Sequence, residues 1–243
     1  MYKHLFFDLD NTIWDFNLNS YYALREVYDQ CSLPLTAYDN FFMVYNRHND
    51  RLWELYRNQS ISKQELASSR FQLTFDELGI TGLDAAEFNH EYLEHMPQQT
   101  RLCEGAREVL EVLSRRYQMH IITNGFVEVQ YKKLENSNLR HYFKNIFISE
   151  EVKSPKPDAE IFHYALKSSN ARRKESLMIG DSWEVDILGA MGAGLDQIHY
   201  APDSDSADFS EEETERINKS SNVTKRILKL TQLPDILKKA NFS

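Results

Sequence analysis

Four short apolar runs, Leu5-Phe6-Phe7, Met119-His120-Ile121-Ile122, Ile146-Phe147-Ile148 and Leu177-Met178-Ile179, stand out along the chain, and Gln197-Ile198-His199 makes a fifth. Runs of this length predict buried strands. Between the later ones the apolar residues fall at helical spacing: Val109, Leu110 and Leu113; Tyr131 and Leu134; Ile161, Phe162, Ala165 and Leu166; then Val185 to Met191. Alternating strands and helices predict an α/β fold, a Rossmann-like mostly parallel sheet with helices on both faces. The first strand breaks the alternation, because from about Asn17 to Met96 the pattern is helical throughout. Leu24, Val27, Tyr28 and Cys31 form one stripe, and Phe41, Tyr45, His48, Leu52 and Leu55 a second. Ser62-Lys63-Gln64-Glu65 is a capping box for a third helix, and Asp84-Ala85-Ala86-Glu87 opens a fourth. The first strand must join the later sheet, so residues 17–96 are expected to form an inserted four-helix bundle, and residues 1–16 and 97–243 the α/β core.

Composition narrows the partners. A net charge of −9 without a basic tract argues against nucleic acid polymers and anionic membranes. Cys31 and Cys103 have no metal-site spacing, and no stretch approaches the roughly 20 apolar residues that span a bilayer or resembles a secretory signal. A reducing cytoplasm is the expected setting. The acidic, Ser-rich stretch from Asp203 to Glu215 reads as an exposed loop.

Chemistry concentrates at the strand ends. Asp8 and Asp10 follow the first strand one residue apart, where extended geometry turns both carboxylates to one face. That pair is compatible with a hard-cation site or with an Asx-type turn through Asn11 and Thr12. Thr123-Asn124-Gly125 ends the second strand ahead of a helix, offering a hydroxyl, an amide and free backbone N–H groups to an anion, or a plain helix cap. Ser154-Pro155-Lys156-Pro157-Asp158 holds Lys156 extended between prolines, with Pro157 suited to the first helical turn and Lys153 a second candidate cation. Gly180-Asp181 ends a further strand, with Asp186 in the following helix. Each has a local explanation. Collected at one end of one parallel sheet, acids, Thr-Asn and lysine suit phosphoryl transfer, in which a carboxylate attacks phosphorus while cations offset the oxygen charge.

These motifs, in this order, resemble the haloacid dehalogenase superfamily, specifically its magnesium-dependent phosphatases with a helical type 1 cap. The resemblance implies that Asp8 is the nucleophile and that Asp10 protonates the leaving alcohol and then activates water. It also implies that Thr123, Asn124 and Lys156 bind the phosphoryl group. Mg2+ would be held by Asp8, Asp10 (through its backbone carbonyl), Asp181 and Asp186. A closing cap implies a small phosphorylated metabolite. The opening Asp-Leu-Asp-Asn-Thr-Ile-Trp-Asp-Phe with Lys-Pro-Asp is most similar to the nucleoside 5′-monophosphatase-like subgroup, and Tyr45, Trp53 and Tyr56 would either stack a base or fill the cap core. Trp14 and Phe16 would touch substrate or pack at the hinge. A sugar phosphomutase shares the whole core set and is the alternative. A dehalogenase proper has no need of Asp10, Asp181 and Asp186; a phosphonatase needs a cap lysine better placed than Lys63; and a noncatalytic binding module has no reason to retain the full set.

Overall fold

The computed structural model describes residues 1–33 and 37–240. Two compact units emerge, Met1–Phe16 with Arg101–Ser243, and Asn17–Thr100.

The first unit is built on six parallel strands: β1 (His4–Phe7), β2 (Gln118–Thr123), β3 (Phe143–Ile148), β4 (Ser176–Gly180), β5 (Asp196–Tyr200) and β6 (Thr224–Ile227), in the order β3-β2-β1-β4-β5-β6. The strand order reverses at β1, with β2 and β3 on one side and β4 to β6 on the other. The carboxyl end of β1 is therefore the switch point where open α/β sheets leave a crevice. Every residue of β1 is buried, as expected for a central strand covered on both faces. On one face Phe6, Ile122 and Met178 pack with Ile161, Phe162 and Ala165 of a helix that follows β3. β6 was not anticipated. Its sequence Thr-Lys-Arg-Ile has one fully buried residue, and an edge strand needs no apolar alternation to pair with β5.

In the second unit four helices follow one another: α1 (Phe16–Gln30, whose first residue belongs to the first unit), α2 (Tyr38–Arg57), α3 (Lys63–Leu78) and α4 (Ala85–His95). Ser62 caps α3 by accepting from the Glu65 N–H at 3.2 Å, while the Ser62 N–H donates back to the Glu65 carboxylate at 2.7 Å. Asp84 caps α4 through the N–H groups of Ala86 and Glu87. Beyond α4 the chain continues in a 3-10 turn, Met96–Gln98, and Gln99 donates to Glu26 at 3.0 Å, which carries the helical unit past Met96 to Thr100. Tyr45 is core, stacked on Phe71 at 5.0 Å, while Trp53 and Tyr56 are half-buried and meet edge to face.

The remaining helices belong to the first unit: α5 (Ala106–Leu113), α6 (Val127–Asn136), α7 (Ser149–Val152), α8 (Ala159–Ser168), α9 (Leu188–Gly192), α10 (Glu211–Asn218) and α11 (Leu233–Ala240). The expected loop over Asp203 to Glu215 holds as far as Ser210, but from Glu211 the chain is helical in α10. Ser210 and Glu213 form a capping box, three glutamates occupy the first turn, and Glu212–Arg216 and Glu215–Lys219 pair along one face. Acids at a helix N-terminus are favourable, so the composition that suggested a loop is also that of a helix start.

Three histidines are buried in the sheet, His4, His120 and His199, and the first two meet. His4 Nδ1 and His120 Nε2 lie 3.1 Å apart, and the His120 ring stacks on Phe6 at 4.8 Å. Burial, with His4 and Lys144 nearby, pulls His120 down to about 3. Because the unfolded side chain titrates near 6.5, this contribution to stability is complete above that pH and is lost progressively as pH falls toward 3. His120→Gln is expected to flatten the loss of stability between pH 7 and pH 5. Urea midpoints at the two pH values check it, and parallel slopes for variant and wild type would refute it.

Candidate active site

β1 delivers Asp8 directly, since its N–H continues the β-ladder by donating to Ile179 O at 2.9 Å. A tight turn follows, in which Ile13 and Trp14 N–H both return to Leu9 O and the Asn11 N–H donates to Trp14 O at 2.7 Å. Asn11 takes the left-handed conformation (φ 58°), which asparagine tolerates better than most side chains. The chain does turn here, but on backbone hydrogen bonds, while the Asp10 side chain accepts from Gln130 and Lys133 and the Thr12 hydroxyl donates to Asp181. The turn is what holds Asp10 beyond the strand.

Asp8 is joined by Asp181 and Asp186, with one oxygen from each within 4.8 Å of the others. Asp181 follows β4, and Thr12 Oγ1 donates to its Oδ1 at 3.1 Å. Asp186 lies in a π-helical turn, Trp183–Ile187, and reaches back so that Oδ2 accepts from the Ser182 N–H at 3.1 Å. That return requires glycine at 180, where a Cβ would stand 2.4 Å from the Asp186 Cγ.

Lys156 is the cation of this cluster. Its Nζ lies 2.5 Å from Asp8 Oδ1 and 2.6 Å from Asp186 Oδ1, and the residue is 1 % exposed. Asn124 fixes its backbone from both sides, donating to Lys156 O and accepting from Lys156 N–H, each at 2.9 Å. The structure thus uses Asn124 to present Lys156. Lys153 is exposed and in the left-handed region, which removes it as the alternative cation. Pro157 does not begin α8; Asp158 is the N-cap and Ala159 the first helical residue, so Pro157 stands just outside the helix.

Burial pushes the Asp8 carboxyl well above the usual range, only partly opposed by Lys156, with Asp186, Asp181 and Asp10 adding to the rise. Asp181 is pushed up to about 7, by burial and by Asp186. Burial also pulls the Lys156 ammonium down, but Asp186 and Asp8 outweigh it and hold the group above the ordinary lysine value. Three carboxylates facing one ammonium form an oxygen donor set short of positive charge, the chemistry that fits a hard divalent cation.

Asp10 faces a second cation. Lys133 Nζ donates to its Oδ1 at 2.7 Å and Gln130 Nε2 to its Oδ2 at 2.9 Å, and Gln130 also donates to Thr123 Oγ1 at 2.7 Å. Thr123 Oγ1 accepts that bond and donates its own proton to Asn124 O at 3.5 Å, a long contact that a closer acceptor could replace. The α6 N-terminus is less open than the Thr-Asn-Gly run suggests, because Glu150 accepts from the Val127 N–H at 2.8 Å. Gln130 and Lys133 are the site residues that motif reading missed. Their signal is their position: two polar residues among Val129 and Leu134 on the buried side of α6.

Comparison with known proteins agrees with this geometry. The family model described as haloacid dehalogenase-like hydrolase matches residues 5–199. The chain is 34% identical over 205 residues to the pyrimidine 5′-nucleotidase PynA of Streptococcus pneumoniae, covering 83% of this chain and 84% of that one. It is 35% identical over 192 residues to the pyrimidine 5′-nucleotidase YjjG of Escherichia coli, covering 79% and 82%. Among solved structures, the putative HAD-hydrolase YfnB from Bacillus subtilis bound to magnesium superposes with a TM-score of 0.83 at 31% identity, over 97% of this chain and 98% of that one.

Proposed function

The chain belongs to the haloacid dehalogenase-like hydrolase family and is a phosphoric monoester hydrolase, and we propose that it is a magnesium-dependent 5′-nucleotidase that dephosphorylates pyrimidine nucleoside 5′-monophosphates through an aspartyl-phosphate on Asp8. The observation that carries the reading is the convergence of Asp8, Lys156, Asp181 and Asp186 at the carboxyl end of β1. The pyrimidine preference is supported by the two relatives named for that activity. The two cysteines are unpaired, which supports a cytoplasmic setting. Among the described residues no helix is long and apolar enough to cross a membrane.

In this reading an Asp8 oxygen attacks phosphorus, and the bond from phosphorus to the nucleoside oxygen breaks. Asp10 gives that oxygen a proton. Asp10 then takes a proton from the water that attacks the aspartyl-phosphate, which releases phosphate and restores Asp8. Thr123 donates its hydroxyl proton to a phosphoryl oxygen, and Lys156 keeps Asp8 in line while offsetting its charge. Asp8, Asp181, Asp186 and the Asp10 carbonyl would hold magnesium, which when bound supplies positive charge to the phosphoryl oxygens.

Phosphate release from a panel of nucleoside monophosphates, sugar phosphates and phosphoglycolate tests the proposal, with Mg2+ and with excess EDTA. Release with Mg2+, lost by about 100-fold or more in EDTA and fastest per KM for pyrimidine nucleotides, is the expected result. No release from any phosphoester in Mg2+ would sink the catalytic reading. Higher efficiency on sugar phosphates would sink the substrate assignment, and transfer between sugar hydroxyls without release would make the protein a mutase.

A further inference from the structure

Lysine is seldom fully buried, yet Lys133 is 2 % exposed. Three groups meet its ammonium. Asp10 Oδ1 lies at 2.7 Å, the Trp14 ring centroid at 4.3 Å and the Phe16 centroid at 5.3 Å. Trp14 is itself wholly buried, and its indole N–H has no hydrogen-bond partner among the described residues, so the ring contributes through its face. The same turn that carries Asp10 delivers Trp14, through the Asn11 N–H bond to Trp14 O. On α6, Gln130 stands three residues before Lys133 on the same side and takes the other oxygen of Asp10. Gly125 makes room for it: a Cβ there would lie 2.7 Å from the Gln130 Cδ.

We propose that Lys133 is a positioning residue for Asp10. Caged by Trp14 and Phe16, its ammonium fixes one carboxylate oxygen while Gln130 fixes the other, so that Asp10 meets the leaving-group oxygen in a single orientation. The inference rests on the reading of Asp10 as the proton-transfer group. Each carboxylate oxygen has two lone pairs and spends one on its donor, leaving one free for the substrate. An unclamped aspartate has two soft side-chain torsions, and proton transfer in the transition state is sensitive to that freedom. Cation–π contact with two rings limits the lysine as well, so the clamp does not follow Asp10 if Asp10 rotates.

A merely structural ion pair predicts lost stability without selectivity among substrates, whereas a clamp on the proton donor predicts a dependence on the leaving group. Lys133→Met and Lys133→Arg are compared with wild type in Mg2+ on uridine 5′-monophosphate, whose alkoxide needs a proton, and on p-nitrophenyl phosphate, whose phenolate leaves without one. Lys133→Met is expected to lower kcat on the nucleotide by about 10- to 100-fold with KM within about twofold. Its burst of p-nitrophenol, which reports formation of the aspartyl-phosphate, is expected to stay within about threefold of wild type. Lys133→Arg should recover at least part of the nucleotide rate. Gln130→Leu, which frees the other oxygen without unpairing a charge, should show the same split, and it decides the matter if Lys133→Met does not fold. Unchanged kcat on the nucleotide, or equal losses in both measurements, would overturn the proposal. If Asp8→Asn is inactive while Lys133→Met is fully active, only this inference falls; if Asp8→Asn remains active, the reading beneath it falls first.

Discussion

Asp8→Asn is expected to abolish phosphate release, lowering kcat by about 10,000-fold or more, while the protein folds normally. Asparagine matches aspartate in shape, and the backbone contact that places residue 8, its N–H on Ile179 O, does not involve the side chain. What disappears is the charged oxygen that attacks phosphorus in the proposed mechanism. The neighbours also predict no folding penalty of consequence. Asp8 is crowded by Asp10, Asp181 and Asp186, so losing its charge relieves repulsion, and Lys156 retains Asp186 as a partner at 2.6 Å. Phosphate release in Mg2+, measured beside a urea midpoint, separates the two effects. A variant that keeps more than about 1% of wild-type turnover would remove Asp8 as the nucleophile, and a collapsed midpoint would show that residue 8 is structural.

The strands legible in advance were those whose burial leaves a continuous apolar run, β1 to β4, and β5 by its place in the alternation. β6 was not, because an edge strand is held by its ladder to β5 and its Lys225 and Arg226 lean to solvent or to polar partners. The helix starts with side-chain caps, reciprocal at Ser62 and one-way at Asp84, could be read directly. The equivalent start at Ser210 was masked by the acidity around it, although Ser210-Glu211-Glu212-Glu213 has the same spacing as the capping box at Ser62. At the site, residues in motifs at strand ends were visible because charge at the end of an apolar run is costly without a partner. Gln130 and Lys133 were not, because a lysine in a helix is ordinary until its face is known. Only the fold turns that face toward Asp10, and the consequence is substantial: the site has two cations where the motifs predict one. One sits among Asp8, Asp181 and Asp186, the other on Asp10.

That division makes Lys156 the residue whose loss should matter most after Asp8. Its ammonium bridges Asp8 and Asp186 inside the protein, and Asn124 holds its backbone from both sides. In Lys156→Met the stem is replaced at similar volume, but Asp8, Asp181 and Asp186 face one another without a counter-charge. Breaking a buried pair by removing one partner costs about 3–5 kcal/mol, much of it the penalty on the charge left behind. The variant should therefore have a much lower urea midpoint in EDTA, and Mg2+ should recover part of the loss, because a cation that binds only the folded carboxylate cluster stabilises by mass action. Activity should not recover with it. The ammonium lies on Asp8 itself, the proposed nucleophile, and Lys153, exposed and in a left-handed backbone conformation, is no substitute; a loss of about 100- to 1,000-fold in kcat is expected at saturating Mg2+. Equal midpoints for variant and wild type in EDTA would mean that the three carboxylates are not mutually repulsive in the folded protein. Full activity at high Mg2+ would mean that positive charge anywhere in the cluster suffices, and that the position of Lys156 on Asp8 has no catalytic role.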